Sequence, residues 1–305
     1  HGLFVSYEAF VQIVASMSDQ YAKFLKIARD VKWRGTIPSM NYILTSTGWR
    51  QEHNGFSHQN PGFIDGVLQR QGCFTNVYFP ADANIALHAF RRMLASEQQI
   101  NVLVCEKRPL PIWRTPAEAE RDVSDGLSIW DFASDDDPHV VLASAGDYPT
   151  QEVLAAISLI RRDVPRLRMR MVNIASLSAL GMGATGCRVL RHDFDDYFTE
   201  DKPIIMNFHG YPQTMKQILF DYGCDGARVR IHGYEETGST TTPFDMMVRN
   251  KVDRFHLAME VFSLAAERGV ISADESQALI GQYQEALQAH RSYIINNGDD
   301  PEEIT

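Results

Sequence analysis

The residues best equipped for chemistry lie in one stretch, Gly48-Trp49-Arg50-Gln51-Glu52-His53-Asn54-Gly55-Phe56-Ser57-His58-Gln59, which follows the strand-like run Tyr42-Ile43-Leu44-Thr45. Imidazoles, carboxamides, a guanidinium and a hydroxyl crowd between its glycines, more proton-transfer and hydrogen-bonding capacity than a connecting loop needs. His53 and His58 are spaced so that they do not share a helix face, but a turn at Gly55 can aim both into one cavity. There they would give and take protons near neutral pH. The expectation is an active-site wall performing acid–base work on a polar substrate. The plainer alternative is a pair of solvated histidines bonded to local backbone.

An anionic substrate would need its own cations. The chain carries a formal net charge of -10, which argues against nucleic acid as a partner, because phosphate-backbone binding rests on a basic footprint. Arg50, Lys107, Arg108 and Arg114 are the candidates near the ends of strand-like runs. Consecutive acids at Asp135-Asp136-Asp137, and His192 beside Asp193, could mimic metal clusters. Solvated chain explains the first and helix-dipole stabilisation the second, so no metal ligand is assigned. Cys73, Cys105, Cys187 and Cys224 are widely scattered, a pattern that signals neither a zinc site nor a disulfide framework and fits a reduced, cytoplasmic setting. No uninterrupted apolar run is long enough to span a bilayer, so no membrane partner is expected. The opening His1-Gly2-Leu3 runs at once into apolar periodicity, which reads as a fragment of a longer chain.

The elements that must position these residues follow an α/β rhythm. Gly2 to about Val31 recurs at helical spacing through Phe10, Val14, Met17, Tyr21 and Phe24, predicting one or two buried helices. Strands are expected at 41–45, 75–79 and 101–105, with helices at 63–70 and 84–96 between them, the signature of a parallel sheet. From Pro109 to Pro138 the pattern degrades into prolines and charge. A second series follows, with strands at 140–144, 167–174, 204–208 and 229–232. Its helices are expected after a Thr150 cap, at 193–198 and at 213–220. Thr242-Pro243-Phe244-Asp245 reads as a capped helix start, and a last helix covers about 273–295.

Several segments together resemble one family, the xylulose-5-phosphate/fructose-6-phosphate phosphoketolases. They are Ser6-Tyr7-Glu8-Ala9-Phe10, the Gly48 to Gln59 loop, and Val77-Tyr78-Phe79-Pro80-Ala81-Asp82-Ala83-Asn84. Further on come Ala145-Gly146-Asp147, Phe208-His209-Gly210-Tyr211-Pro212, His232-Gly233-Tyr234-Glu235-Glu236, Thr240 to Met246, and Asp253-Arg254-Phe255-His256-Leu257. The likeness spans nearly the whole chain in order.

The resemblance implies an α/β protein with two parallel-sheet, three-layer domains of transketolase-like architecture. Residues 1–115 would form a pyrimidine-binding domain truncated at its N-terminus, 116–138 a linker, and 139–305 the C-terminal domain. It implies thiamine diphosphate and Mg²⁺ as cofactors, with the diphosphate and metal ligands outside this chain, since no Gly-Asp-Gly occurs here; the fragment alone should be inactive. The implied reaction is phosphorolysis of xylulose 5-phosphate or fructose 6-phosphate. Inorganic phosphate captures a dehydrated two-carbon unit as acetyl phosphate, and an aldose phosphate and water leave. His53 and His58 would jointly protonate the departing hydroxyl, with Gln51 and Asn54 positioning substrate or phosphate. Tyr7 would wall the aminopyrimidine, and Lys107 and Arg50 would bind phosphate, whereas His209 and His232 would be structural. A homodimer or higher homo-oligomer follows from shared sites in this architecture. A transketolase-type transferase and a non-catalytic dimerising module are the competing readings.

Overall fold

The protein was described from a computed structural model, which covers residues 2–50, 59–70, 73–181, 191–236 and 240–304. Its frame is two sheets. In the first, β1 (Gly2–Tyr7), β2 (Met40–Thr45), β3 (Thr75–Tyr78) and β4 (Ile100–Val104) are parallel in the order β1-β2-β4-β3. Helices α1 (Ala15–Asp30), α2 (Gly62–Leu68) and α3 (Ala83–Ala95) connect them. The second sheet has the order β5-β7-β6-β8-β9, built from β5 (Leu127–Ile129), β6 (Val140–Ala145), β7 (Met169–Ile174), β8 (Ile204–Phe208) and β9 (Val229–His232). Only β5 runs antiparallel to its neighbour.

Strands β6 and β8 are buried along their whole length, the apolar run expected when helices cover both faces of a parallel sheet. Their side chains still alternate. Val141, Ala143 and Ala145 join a core shared with the first sheet, while Val140 and Leu142 face a second core. That second core takes in α5 (Asp147–Asp163), α9 (Arg254–Glu267) and Tyr283 of α10 (Ala273–Asn297). The remaining helices are α4 (Pro116–Asp125), α6 (Arg191–Phe198), α7 (Pro212–Phe220) and α8 (Pro243–Arg249). The sheets meet at β3, where the Phe79 amide donates to Ala175 O and the Val77 amide to Ser178 Oγ, both at 2.9 Å. Tyr78 forms a bridge with Ser176.

Four expectations need correction. Residues 2–7 form a strand, not the start of a buried helix: Leu3, Val5 and Tyr7 alternate outward while Phe4 and Ser6 turn inward, a period of two that the helical spacing after Glu8 obscured. The expected linker, 116–138, contains α4 and β5. Thr115 and Glu118 make a reciprocal capping box around Pro116, and Gly126 ends the helix in the left-handed region at φ 81°. Helix α5 begins at Asp147, so Thr150 lies within its first turn, its hydroxyl bonded to Gly146 O instead of capping. Cys73 is disulfide-bonded, whereas Cys105 and Cys224 are not part of a disulfide; sequence spacing alone does not encode that pairing. The Thr242 cap is present as expected, its side chain accepting from the Asp245 amide.

Candidate functional site

Parallel pairing sets Tyr7 opposite Thr45 and Leu44 opposite Val104, so the residues just beyond β1, β2 and β4 share the carboxyl edge of the first sheet. Open α/β sheets bind ligands at this edge. Lys107 extends across it. Its Nζ donates to Ser46 Oγ at 2.6 Å and to Tyr7 Oη at 3.3 Å, and lies 4.5 Å from the Tyr7 ring centroid. The hydrogen bond from Lys107 holds the Tyr7 phenol below its ordinary pKa, helped by the ammonium charge and by Ser46. Ser46 is buried at φ 56°, a left-handed conformation that L residues other than Asn and Asp adopt sparingly. Tyr7 remains 43% exposed and stacks on Phe10, with centroids 6.2 Å apart and planes 17° from parallel. The edge thus offers an open aromatic face beside a fixed ammonium.

Behind this edge lies a buried charge cluster. Glu8 follows Tyr7 directly and is 2% exposed; His209, at the end of β8, is 3% exposed. His209 Nε2 donates to Glu8 Oε1 at 2.7 Å, and Glu8 Oε2 accepts from the Gly48 amide at 3.1 Å. Burial lowers the His209 pKa, but the Glu8 charge and hydrogen bond, together with Asp147, outweigh it and the net shift is upward. Asp147 opens α5 and accepts from the amides of Tyr148 at 2.8 Å and Glu106 at 3.0 Å. Burial pushes its carboxyl up to about 6, opposed by His209. Gly146 permits this packing: at φ 119°, a Cβ there would stand 2.9 Å from His209 Cβ.

Trp49 is buried against Tyr234, with ring centroids 5.9 Å apart. The two His-Gly-Tyr segments interlock beside it, the Tyr234 amide donating to Gly210 O at 2.8 Å. A Cβ on Gly233 would lie 2.4 Å from that oxygen, so only glycine fits the crossing. A cavity of about 10 Å³ lies between Glu8, Gly48, Gln59, Asn60, His209 and Tyr234, close to the space one water needs.

The structure brings Tyr7 and Lys107 together and places the Arg50 guanidinium 5.5 Å from the Tyr148 ring. Gln51, His53, Asn54 and His58 lie outside the described residues; Gly48 and Trp49 before them and Gln59, Asn60 and Pro61 after them line the small cavity. Arg114 is spoken for, paired with Asp122 at 2.8 Å and packed over Trp130. Ser46, Glu8, Asp147 and His209 were missed as site components by sequence reasoning. Glu8 stood inside the quoted Ser6 to Phe10 segment, and its acidity between Tyr7 and an apolar run was the available signal.

An aromatic wall suits a flat heteroaromatic ring such as an aminopyrimidine, and a lysine suits an anionic oxygen. Among the described residues no group of three or more His, Cys, Asp or Glu is placed to hold a metal ion.

Residues 1–96 match the profile of D-xylulose 5-phosphate/D-fructose 6-phosphate phosphoketolases, and residues 107–305 that of the XFP C-terminal domain. A probable phosphoketolase of Brucella abortus (strain 2308) is 43% identical over 308 residues, covering 100% of this chain and 38% of its own length. One from Nitrosospira multiformis is 45% identical over 308 residues, with the same coverage. The chain therefore spans about 38% of the length of these curated relatives. Among solved structures, a transketolase mutant from Pichia stipitis has a TM-score of 0.63 at 13% identity, over 88% of this chain and 34% of that one. A transketolase from Leishmania mexicana has a TM-score of 0.60 at 13% identity, over 87% and 34%. These likenesses establish a transketolase-like fold.

Proposed function

The chain belongs to the D-xylulose 5-phosphate/D-fructose 6-phosphate phosphoketolase family, and from that premise we propose that the intact protein is a thiamine-diphosphate- and Mg²⁺-dependent aldehyde-lyase. Xylulose 5-phosphate, fructose 6-phosphate or both would react with inorganic phosphate. The products are acetyl phosphate, water, and glyceraldehyde 3-phosphate or erythrose 4-phosphate respectively. The observation that carries this reading is the half-exposed Tyr7 ring fixed beside the Lys107 ammonium at the carboxyl edge of the first sheet.

Thiamine diphosphate supplies the electron sink for carbon–carbon cleavage. The residues of this chain would do the remaining work. Tyr7 would present its face to the aminopyrimidine. Lys107, already oriented by Ser46, would exchange its contact with Tyr7 for a phosphate oxygen, and Arg50, beside Tyr148, would be the second cation for the anion. His53 and His58 would deliver a proton to the departing hydroxyl, with Gln51 and Asn54 holding the polar atoms around it. By the family resemblance, Mg²⁺ would be held by residues outside this chain.

Residues 1–115 are taken as the pyrimidine-binding domain and 139–305 as the C-terminal domain. The intervening α4 and β5 sit with the second sheet through β5–β7 pairing. Leu3, Val5, Ile13 and Met17 are exposed, and apolar surface of this kind supports a second subunit or further chain covering it. A homodimer is therefore part of the proposal. So is a cytoplasmic setting, because phosphorylated sugars do not cross membranes unaided; no described helix is long and apolar enough to cross one.

The test is product analysis of the intact protein supplied with thiamine diphosphate, Mg²⁺, xylulose 5-phosphate and inorganic phosphate, without an acceptor aldose. Acetyl phosphate stoichiometric with glyceraldehyde 3-phosphate supports the reading. Turnover only when an acceptor aldose is added would replace it with a transketolase-type transferase, and no turnover under any of these conditions would favour a non-catalytic dimerising module.

A further inference from the structure

The buried ion pair at the junction of the two sheets touches none of the exposed site atoms, yet it is tied to the backbone of the segments that carry them. Glu8 adjoins Tyr7, and its second carboxylate oxygen takes the Gly48 amide, where the chain enters the 48–59 segment. Asp147, in the same buried neighbourhood, takes the Glu106 amide next to Lys107. The imidazole at the centre comes from the other sheet, 201 residues from Glu8 in sequence. Apolar side chains of similar volume could fill such a space at little cost to stability. A charged pair differs in fixing direction: among the described residues Glu8 Oε1 takes His209 Nε2 while Oε2 takes the Gly48 amide, and such charge-assisted bonds are short and strong.

We propose that Glu8 and His209, with Asp147 beside them, are positioning residues for the site, the C-terminal domain using His209 to hold Glu8 and, through it, the turn that leads into the His53–His58 segment. This inference rests on the reading of the site given above. His209 is well placed for the role. Its ring packs 5.6 Å from the buried Phe79 ring, and its backbone amide donates to Ala145 O at 2.9 Å. Its Nδ1 is buried without a hydrogen-bond partner among the described residues, and among them its Nε2 is anchored by the hydrogen bond to Glu8.

The experiment compares the intact protein with His209→Leu, His209→Gln and Glu8→Ala. Two readouts are taken: hydrogen–deuterium exchange of the cofactor-free protein, and kcat and KM for acetyl phosphate formation. His209→Leu and Glu8→Ala should speed exchange in the peptide containing Gly48, while peptides from β6 and α9 keep wild-type rates. The same variants should lower kcat on the order of 100-fold, the scale of a displaced catalytic group, with a much smaller change in KM. His209→Gln, whose carboxamide can still donate to Glu8, should recover to within about tenfold of wild type, since a neutral hydrogen bond retains roughly half the strength of a charge-assisted one.

Unchanged exchange at Gly48 in both His209→Leu and Glu8→Ala would overturn the proposal. So would a uniform rise in exchange across the protein with wild-type kcat in the folded fraction, the pattern of a merely structural pair. If wild type itself forms no acetyl phosphate, the functional reading fails, and exchange at Gly48 still decides whether the pair holds the turn.

Discussion

The two sheets solve opposite problems. In the second, β6 and β8 are buried end to end and covered by helices on both faces, and among the described residues its carboxyl edge turns His209 inward. In the first, β1 is an edge strand whose outward residues Leu3, Val5 and Tyr7 stay open, and Ile13 just beyond it is 84% exposed. The open sheet carries the groups suited to ligands, Tyr7 and Lys107; the closed one contributes a fixed point behind them. Ligand-facing residues must remain accessible and therefore cannot be immobilised by burial. Their neighbours in sequence can be, and Glu8, Gly48 and Glu106 are held in this way.

The largest expected effect is at the proposed acid–base pair. Replacing His53 or His58 with Ala in the intact protein should reduce acetyl phosphate formation by about 10²–10⁴, the usual worth of a general acid–base group, with wild-type thermal unfolding. An equal loss of melting temperature and activity would instead mark them as structural. At the junction of the two sheets, Phe79→Ala removes a fully buried ring that packs edge-on to Phe208 at 5.5 Å. It should cost about 3–5 kcal/mol in denaturant unfolding, and a cost below about 1 kcal/mol would show that the junction is loosely packed.

How much of this was readable from the chain depended on whether a residue's role is set by near neighbours. Ile204–Phe208 was legible as a short, largely apolar run and Val229–His232 as an alternating one, each bounded by turn residues in an α/β context. Strand β1 was not, because its period of two lasts only to Tyr7 before helical spacing takes over. Helix α4 was hidden by its own capping chemistry, since Thr115, Pro116 and Glu118 look like loop composition until their bonds are seen. At the site, Lys107 could be named from a strand end and Tyr7 only through the family resemblance of Ser6 to Phe10, and their contact depends on β2 pairing with both β1 and β4. The Glu8–His209 pair was invisible, because nothing local in either segment specifies a partner in the other sheet.

A finer probe of the closed side uses Asp147. Its carboxyl is pushed up to about 6 by burial, so the folded protein holds this proton more tightly than the unfolded chain does. The stability it contributes is fully present below about pH 4 and is lost as pH rises through about 6. At about 1.4 kcal/mol per pH unit, the loss is on the order of 3 kcal/mol. Asp147→Asn should therefore gain stability relative to wild type between pH 4 and pH 7.5, measured by denaturant unfolding at both. A difference that does not change with pH would mean that the carboxylate is well solvated in solution.

The central claim is that the open edge binds a phosphorylated substrate through Lys107, and steady-state kinetics of Lys107→Met in the intact protein test it directly. Removing one charge-assisted contact worth about 1.5–3 kcal/mol should raise KM for xylulose 5-phosphate or for inorganic phosphate by roughly 10- to 100-fold, and the Tyr7 phenol should ionise at higher pH once its ammonium partner is gone. Unchanged KM for both substrates, with the Tyr7 titration shifted as expected, would contradict the claim, leaving Lys107 as a partner of Tyr7 and nothing more.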